Sequence, residues 1–145
     1  MGLTLHYTLR LPSDRSRAEI FTRMEAIRAR AAEQPVEYVS PVFDLSNGVE
    51  PTDSEAARAR LLLMFSAEFI AEPYVEDGQP SHTGDESSTV GFSVYPGAGA
   101  EPASFALMRR RSDADGSEEW FGGGHAKPNT RATKVKNTSS PCIRR

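Results

Sequence analysis

An α+β domain is the fold this sequence predicts, with a mostly antiparallel sheet and two helices on one face. A ferredoxin-like sandwich is the nearest architecture. Three observations lead there. The first residues alternate apolar and polar, two later stretches have helical spacing behind a capping box, and two short β-rich segments flank a turn rich in glycine and proline.

Along the chain, Leu3, Leu5, Tyr7, Leu9 and Leu11 fall on one side of the opening stretch "MGLTLHYTLRLP" and Thr4, His6, Thr8 and Arg10 on the other. That two-residue period is a half-buried strand. Ser16-Arg17-Ala18-Glu19 reads as a capping box that satisfies the free amides of a first helical turn. Ile20, Met24, Ile27 and Ala31 then share one helical face, and Pro35 ends it. "VEYVSPVFDLS" has the composition of a strand, but Pro41 has no N–H to give a ladder, which places the segment at an edge or a bulge.

Thr52-Asp53-Ser54-Glu55 is a second capping box and opens a helix over 52–72. Leu61, Leu62, Phe65 and Phe69 make one apolar face of it, and Leu63, Ala67 and Ile70 make another. A helix apolar on two faces needs cover on both, so a partner, another copy or a further part of the chain is expected against the side around Leu63 and Ile70. The acidic, Gly/Pro/Ser-rich stretch 74–88 reads as a mobile loop. "TVGFSVY" and "ASFALMR" pair as a hairpin about "PGAGAEP", and "EEWF" supplies a last strand.

The 145 residues suit one domain, 38% hydrophobic and 26% charged, which is enough apolar material for a core. No apolar run approaches a membrane span and no secretory pattern opens the chain, so a soluble cytoplasmic protein is expected. The single cysteine, Cys142, gives neither an internal disulfide nor a cysteine metal cage. Net charge is −3, unevenly spread: residues 125–145 hold Lys127, Arg131, Lys134, Lys136, Arg144 and Arg145 and no acid, leaving a body of net charge −9. All three lysines lie in that tail, and the last aromatic is Phe121.

Candidate chemistry is sparse, and no cofactor or metal motif occurs. Glu101, in the hairpin loop, is a general base only if a cleft forms around it; an acid in an exposed turn is ordinarily just solvated. His82, beside Asp85 and Glu86, offers metal-type donors, but within an acidic loop the bland reading prevails. Asp113, Asp115 and Glu118 lack the twelve-residue spacing of a calcium loop and read as a turn. The G-x-G of "YPGAGAEPA" is followed by a strand rather than by the helix that phosphate binding requires. The tail's six charges support unselective, salt-dependent contact with nucleic acid, without aromatics for base stacking.

The stretches "MGLTLHYTLRLP" and "GFSVYPGAGAEPASFAL" resemble a family of small uncharacterised bacterial proteins, planctomycete-like ones above all, over residues 1–121. Members open on a near-identical strand and carry a similar strand, P-G-x-G-x-E-P-A loop and strand. No activity attaches to the family, so the resemblance implies architecture and no chemistry.

It also implies a departure after Trp120-Phe121, where members continue through segments of the type C-K-T-Q-Y-A-S and E-H-F into a final helix and strand. A permitted codon set for 125–145, read in a shifted frame, yields both segments in that order. Gly122-Gly123-Gly124 is encodable by a run of guanines where such a shift arises. The expectation is therefore a domain over 1–121 whose C-terminal edge is incomplete, followed by an out-of-frame, disordered tail over 122–145. Its function is expected to be that of a small binding or interaction module, with an enzyme using Glu101 and His82 as the alternative.

Overall fold

The computed structural model describes residues 5–71 and 82–126. Its elements run β1 (Leu5–Pro12), α1 (Arg17–Ala32), β2 (Tyr38–Val39), β3 (Phe43–Asp44), α2 (Ser54–Ala71), β4 (His82–Gly84), β5 (Val90–Tyr95), β6 (Ala103–Ser112) and β7 (Glu118–Ala126). The sheet has seven strands in the order β1-β7-β6-β5-β2, with β3 also against β5 and β4 also against β6. Every pairing among the described residues is antiparallel, so the class is α+β, as the sequence implies.

Local chemistry sets the helix starts. The Ser16 hydroxyl accepts from the Glu19 N–H (3.1 Å) while the Glu19 carboxylate accepts from the Ser16 N–H (3.0 Å), the reciprocal box expected at α1. At α2 the expected reciprocal box does not form, because the residue three after the cap is Ala56. Asp53, not Thr52, is the cap, and its carboxylate accepts from the Ala56 N–H at 2.8 Å.

Pro41 sits where its missing donor costs least. Ser40 gives its N–H to the Ser93 carbonyl and Phe43 stands opposite Gly91, so Pro41 and Val42 share the place opposite Phe92 on the outer side of β5. That is a bulge on an edge strand, satisfying both alternatives read from the sequence.

The two helices lie on opposite faces of the sheet, which corrects the finer picture of both on one face in a ferredoxin-like sandwich. Side chains alternate along a strand. On β5, Val90, Phe92 and Val94 join Ile20 and Met24 of α1 in the main core, with Leu107 of β6 and Trp120 of β7. From the other side of β5, the Ser93 hydroxyl donates to the Ala59 carbonyl of α2 (3.1 Å), and Met108 of β6 packs on Ala67 and Ala71. Because β5 is buried on both faces, each face takes its own helix. The edge strand β1 turns Leu9 and Leu11 toward the α1 core, and Tyr7 stacks on Phe105 with ring centroids 5.4 Å apart.

Two boundaries differ from the sequence reading. Residues 82–88, read as part of the mobile loop 74–88, form β4 and a 3-10 turn over Glu86–Ser88. The Ser88 hydroxyl donates to the Asp85 carbonyl (2.6 Å) and accepts from the Arg109 N–H (2.8 Å), tying that turn to β6. The last strand, read as "EEWF", continues through all three glycines to Ala126, paired with β1 from Pro12–Glu119 to Leu5–Ala126. The boundary expected between 121 and 122 thus falls inside a sheet strand. Of the disordered tail expected over 122–145, residues 122–126 belong to β7 and residues 127–145 lie outside the described residues.

Candidate functional site

The outer side of α2 is the most distinctive surface of the molecule. Its inner side is made of small residues, Ala56, Ala59, Ala67 and Ala71 around Leu63, all buried. Gly84 faces them from β4: a β-carbon on it would lie 2.9 Å from the Ala71 Cα and 2.8 Å from the Met108 Sδ, and Ala106 of β6 is small as well. Small residues on both sides let the helix settle close to the strands, close enough for the Ser93–Ala59 hydrogen bond.

The consequence is an inverted helix whose bulkiest side chains point away from the protein. Leu61 is 53% exposed, Met64 40%, and Phe65 and Phe69 65% each. Leu61, Phe65 and Phe69 repeat every four residues and so form one row along α2. At about 100–150 Å² for each phenylalanine, the four side chains leave a patch of roughly 400–500 Å², the upper end of what a monomer ordinarily leaves open.

This corrects the expected docking side. Leu63 is fully buried on the sheet, and Ile70 is half-buried where it packs against the Ala67–Ala71–Met108 cluster, so neither belongs to the exposed row. The sequence does show two apolar faces; what it hides is which one the alanines and glycines draw inward.

Charge frames the patch. Arg58 and Glu68 are exposed on the same side of α2, and neither has an ion-pair partner among the described residues. Arg60, by contrast, is turned inward and holds Glu50 at 2.7 Å. Arg58 and Glu68 stand five residues on either side of Leu63, and Leu61 and Phe65 two residues on either side. The face is therefore complementary to its own antiparallel copy: Arg58 opposite Glu68, Leu61 opposite Phe65.

The residues singled out as catalytic candidates do not converge. Glu101 is exposed in the loop before β6, and His82 is half-buried at the start of β4, opposite Ser112. Those places are the two ends of β6, ten residues long, about 30 Å apart at ~3.3 Å per residue. One cleft cannot hold both. The loop of the G-x-G motif carries Gly97 and Gly99 at φ 136° and 84° and leads into β6, so it opens a strand and not a helix.

Asp113, Asp115 and Glu118 are each engaged separately. The Thr83 hydroxyl donates to Asp113 at 3.2 Å, the Ser117 N–H and hydroxyl donate to Asp115 at 2.9 and 2.7 Å, and Arg109 donates to Glu118 at 2.5 Å. The Ser117 N–H holds the Asp115 carboxyl below its ordinary range. Among the described residues no three His, Cys, Asp or Glu side chains are grouped to hold a metal ion, and no helix is long and apolar enough to cross a membrane. The basic tail residues Lys127, Arg131, Lys134, Lys136, Arg144 and Arg145 lie outside the described residues, as does Cys142.

No family model, curated protein or solved structure matches this chain.

Proposed function

We propose that the protein is a small interaction module that works by binding through the outer face of α2, and that a second copy of the chain is the occupant of that face. The row Leu61, Phe65, Phe69 carries this reading, since leaving it in water forfeits roughly 25 cal/mol for each Å² that a partner would cover. Self-complementary placement of Arg58 and Glu68 favours an isologous pair over an unrelated partner. Two such patches bury about 800–1,000 Å² in all, the small end of specific interfaces, so the association is weak and concentration-dependent.

A charge-reversal cycle tests the geometry. Arg58→Glu alone and Glu68→Arg alone each set like charges opposite one another and weaken the dimer; the double exchange restores it. A double variant no better than either single variant would remove the antiparallel arrangement.

A cytoplasmic module of the small bacterial family resembled over 1–121 accommodates this reading, in keeping with a sequence that has one cysteine. A shift of reading frame at the codons of Gly122–Gly124 accounts for the abrupt appearance of lysine beyond them. The gene sequence across those codons tests the shift: a single-base change opens the family-like frame, or the idea fails.

A further inference from the structure

A groove lies on the other face of the sheet, between α1 and the edge strand β1. Gly122 of β7 stands opposite Leu9, on the face that α1 covers, and contributes no side chain. A β-carbon there would collide with the Ala106 carbonyl oxygen and lie 3.4 Å from the Leu107 Cδ2. The glycine that the strands require therefore leaves a hollow beside it. Helix α1 directs Ile20 and Met24 onto β5, so it stands over the β5 side and leaves the β1 side partly open.

The hollow has a volume of about 300 Å³. Leu9, Leu11 and Leu107 line its sheet side, and Ala26 and Ile27 line the helix side. Arg23 and Arg30 stand on the rim, seven residues apart on one side of α1, about 10 Å along its axis. No acid lines it. The Arg10 guanidinium is held by Glu119, and Arg15, Arg17, Arg60, Arg109 and Arg110 likewise hold carboxylates. Arg23 and Arg30 have no hydrogen-bond or ion-pair partner among the described residues.

Unpaired guanidiniums on a helix are ordinarily no more than a solvated face. Here they overhang an apolar groove, and the two together select a ligand class. We propose that this groove binds a free medium-chain alkyl carboxylate, with the carboxylate on Arg23 or Arg30 and the chain along Leu9, Leu11, Ile27 and Leu107. Guanidinium matches a carboxylate with two parallel hydrogen bonds, and the leucine floor has no polar group to offer the chain. A volume of 300 Å³ at ~30 Å³ for each water-sized group holds roughly eight to ten carbons.

Calorimetric titration of the full chain with decanoate tests this, alongside hexanoate, decanol and a decyl trimethylammonium salt, all below their aggregation thresholds. Decanoate binds saturably, and each methylene removed toward hexanoate weakens binding about two- to fourfold. Decanol binds at least tenfold more weakly and the cation not measurably. Arg23→Gln and Arg30→Gln, at exposed positions without a partner among the described residues, leave the melting temperature unchanged. One or both lower decanoate affinity at least fivefold without altering decanol binding. Ala26→Trp fills the groove and abolishes binding, and the thermal melt of that variant confirms that the fold persists. Absence of saturable decanoate binding, equal binding of the cation, or decanoate affinity untouched in both arginine variants overturns the proposal. Binding to anionic phospholipid vesicles without decanoate binding also overturns it, in favour of a membrane surface.

Discussion

Gly122 of β7 and Ala106 of β6 approach so closely that the glycine has no room for a side chain, since a β-carbon would run into the Ala106 carbonyl oxygen. The neighbouring Gly123 has looser surroundings, with the Phe121 ring 3.3 Å from where its β-carbon would stand. A ring can shift by a few tenths of an ångström; a strand backbone in a paired ladder cannot do so without losing hydrogen bonds. Gly122→Ala is therefore expected to cost about 2–4 kcal/mol and Gly123→Ala less than about 1 kcal/mol. Urea unfolding midpoints of the two variants check the difference.

Tyr7 predicts an alkaline limit. Its hydroxyl donates to the Ser104 carbonyl at 2.7 Å, and burial pushes its pKa up to about 12 from 10.0. The folded state therefore keeps a proton that the unfolded chain gives up. The stability that Tyr7 contributes is complete below pH 10 and is lost as pH rises toward 12. Tyr7→Phe costs about 1 kcal/mol at neutral pH, by leaving the Ser104 carbonyl without its donor, and flattens the decline above pH 10. Some slope persists from Tyr38, which burial also raises. Denaturation midpoints across the alkaline range separate the variant from the wild type.

At the acid end the corresponding group is Glu119. It receives the Arg10 Nε–H at 3.1 Å and the Arg110 Nε–H at 2.7 Å, and the Arg110 guanidinium lies 3.5 Å over the Phe121 ring. Burial pushes this carboxyl up, but the hydrogen bonds from Arg10 and Arg110 outweigh it and hold the group below its ordinary value of 4.5. Its contribution is present above pH 4.5 and fades as pH falls through the lowered folded-state value. Glu119→Gln is expected to cost about 1 kcal/mol at neutral pH and to reduce the steepness of acid unfolding. Circular dichroism during acid titration of the variant checks it.

The elements legible in the sequence are those whose cause is local. Ser16 and Glu19 are three residues apart, and Pro41 announces its own lack of a donor. What the sequence does not disclose depends on partners distant along the chain. His82–Gly84 is too short to read as a strand, and it becomes one because Arg110, Arg111 and Ser112 lie opposite it. The glycine run reads as an end of structure until β1 and β6 are seen to flank it. The same holds for the candidate site, since Leu61, Leu63 and Phe65 look alike in a helix apolar nearly all round. Gly84, which leaves room for Ala71, and Ser93, which donates to the Ala59 carbonyl, are contributed by the sheet and bring the alanine side inward.

Variants on the two sides of α2 separate binding from folding. Phe65→Asp removes an exposed ring that packs on nothing within the chain's core clusters, so the melting temperature is expected to stay within a few degrees of wild type. Leu63→Asp, by contrast, buries a charge against the sheet and is expected to prevent stable folding. Thermal melts of the pair establish which side of α2 is structural.

Light scattering on the full chain, from roughly 10 μM to 1 mM, reads self-association through α2. The expected molar mass climbs from one chain toward two, and a Phe65→Asp variant remains a monomer throughout while folding normally. A wild-type mass that stays at one chain up to the highest concentration, or a dimer that Phe65→Asp leaves intact, would contradict it.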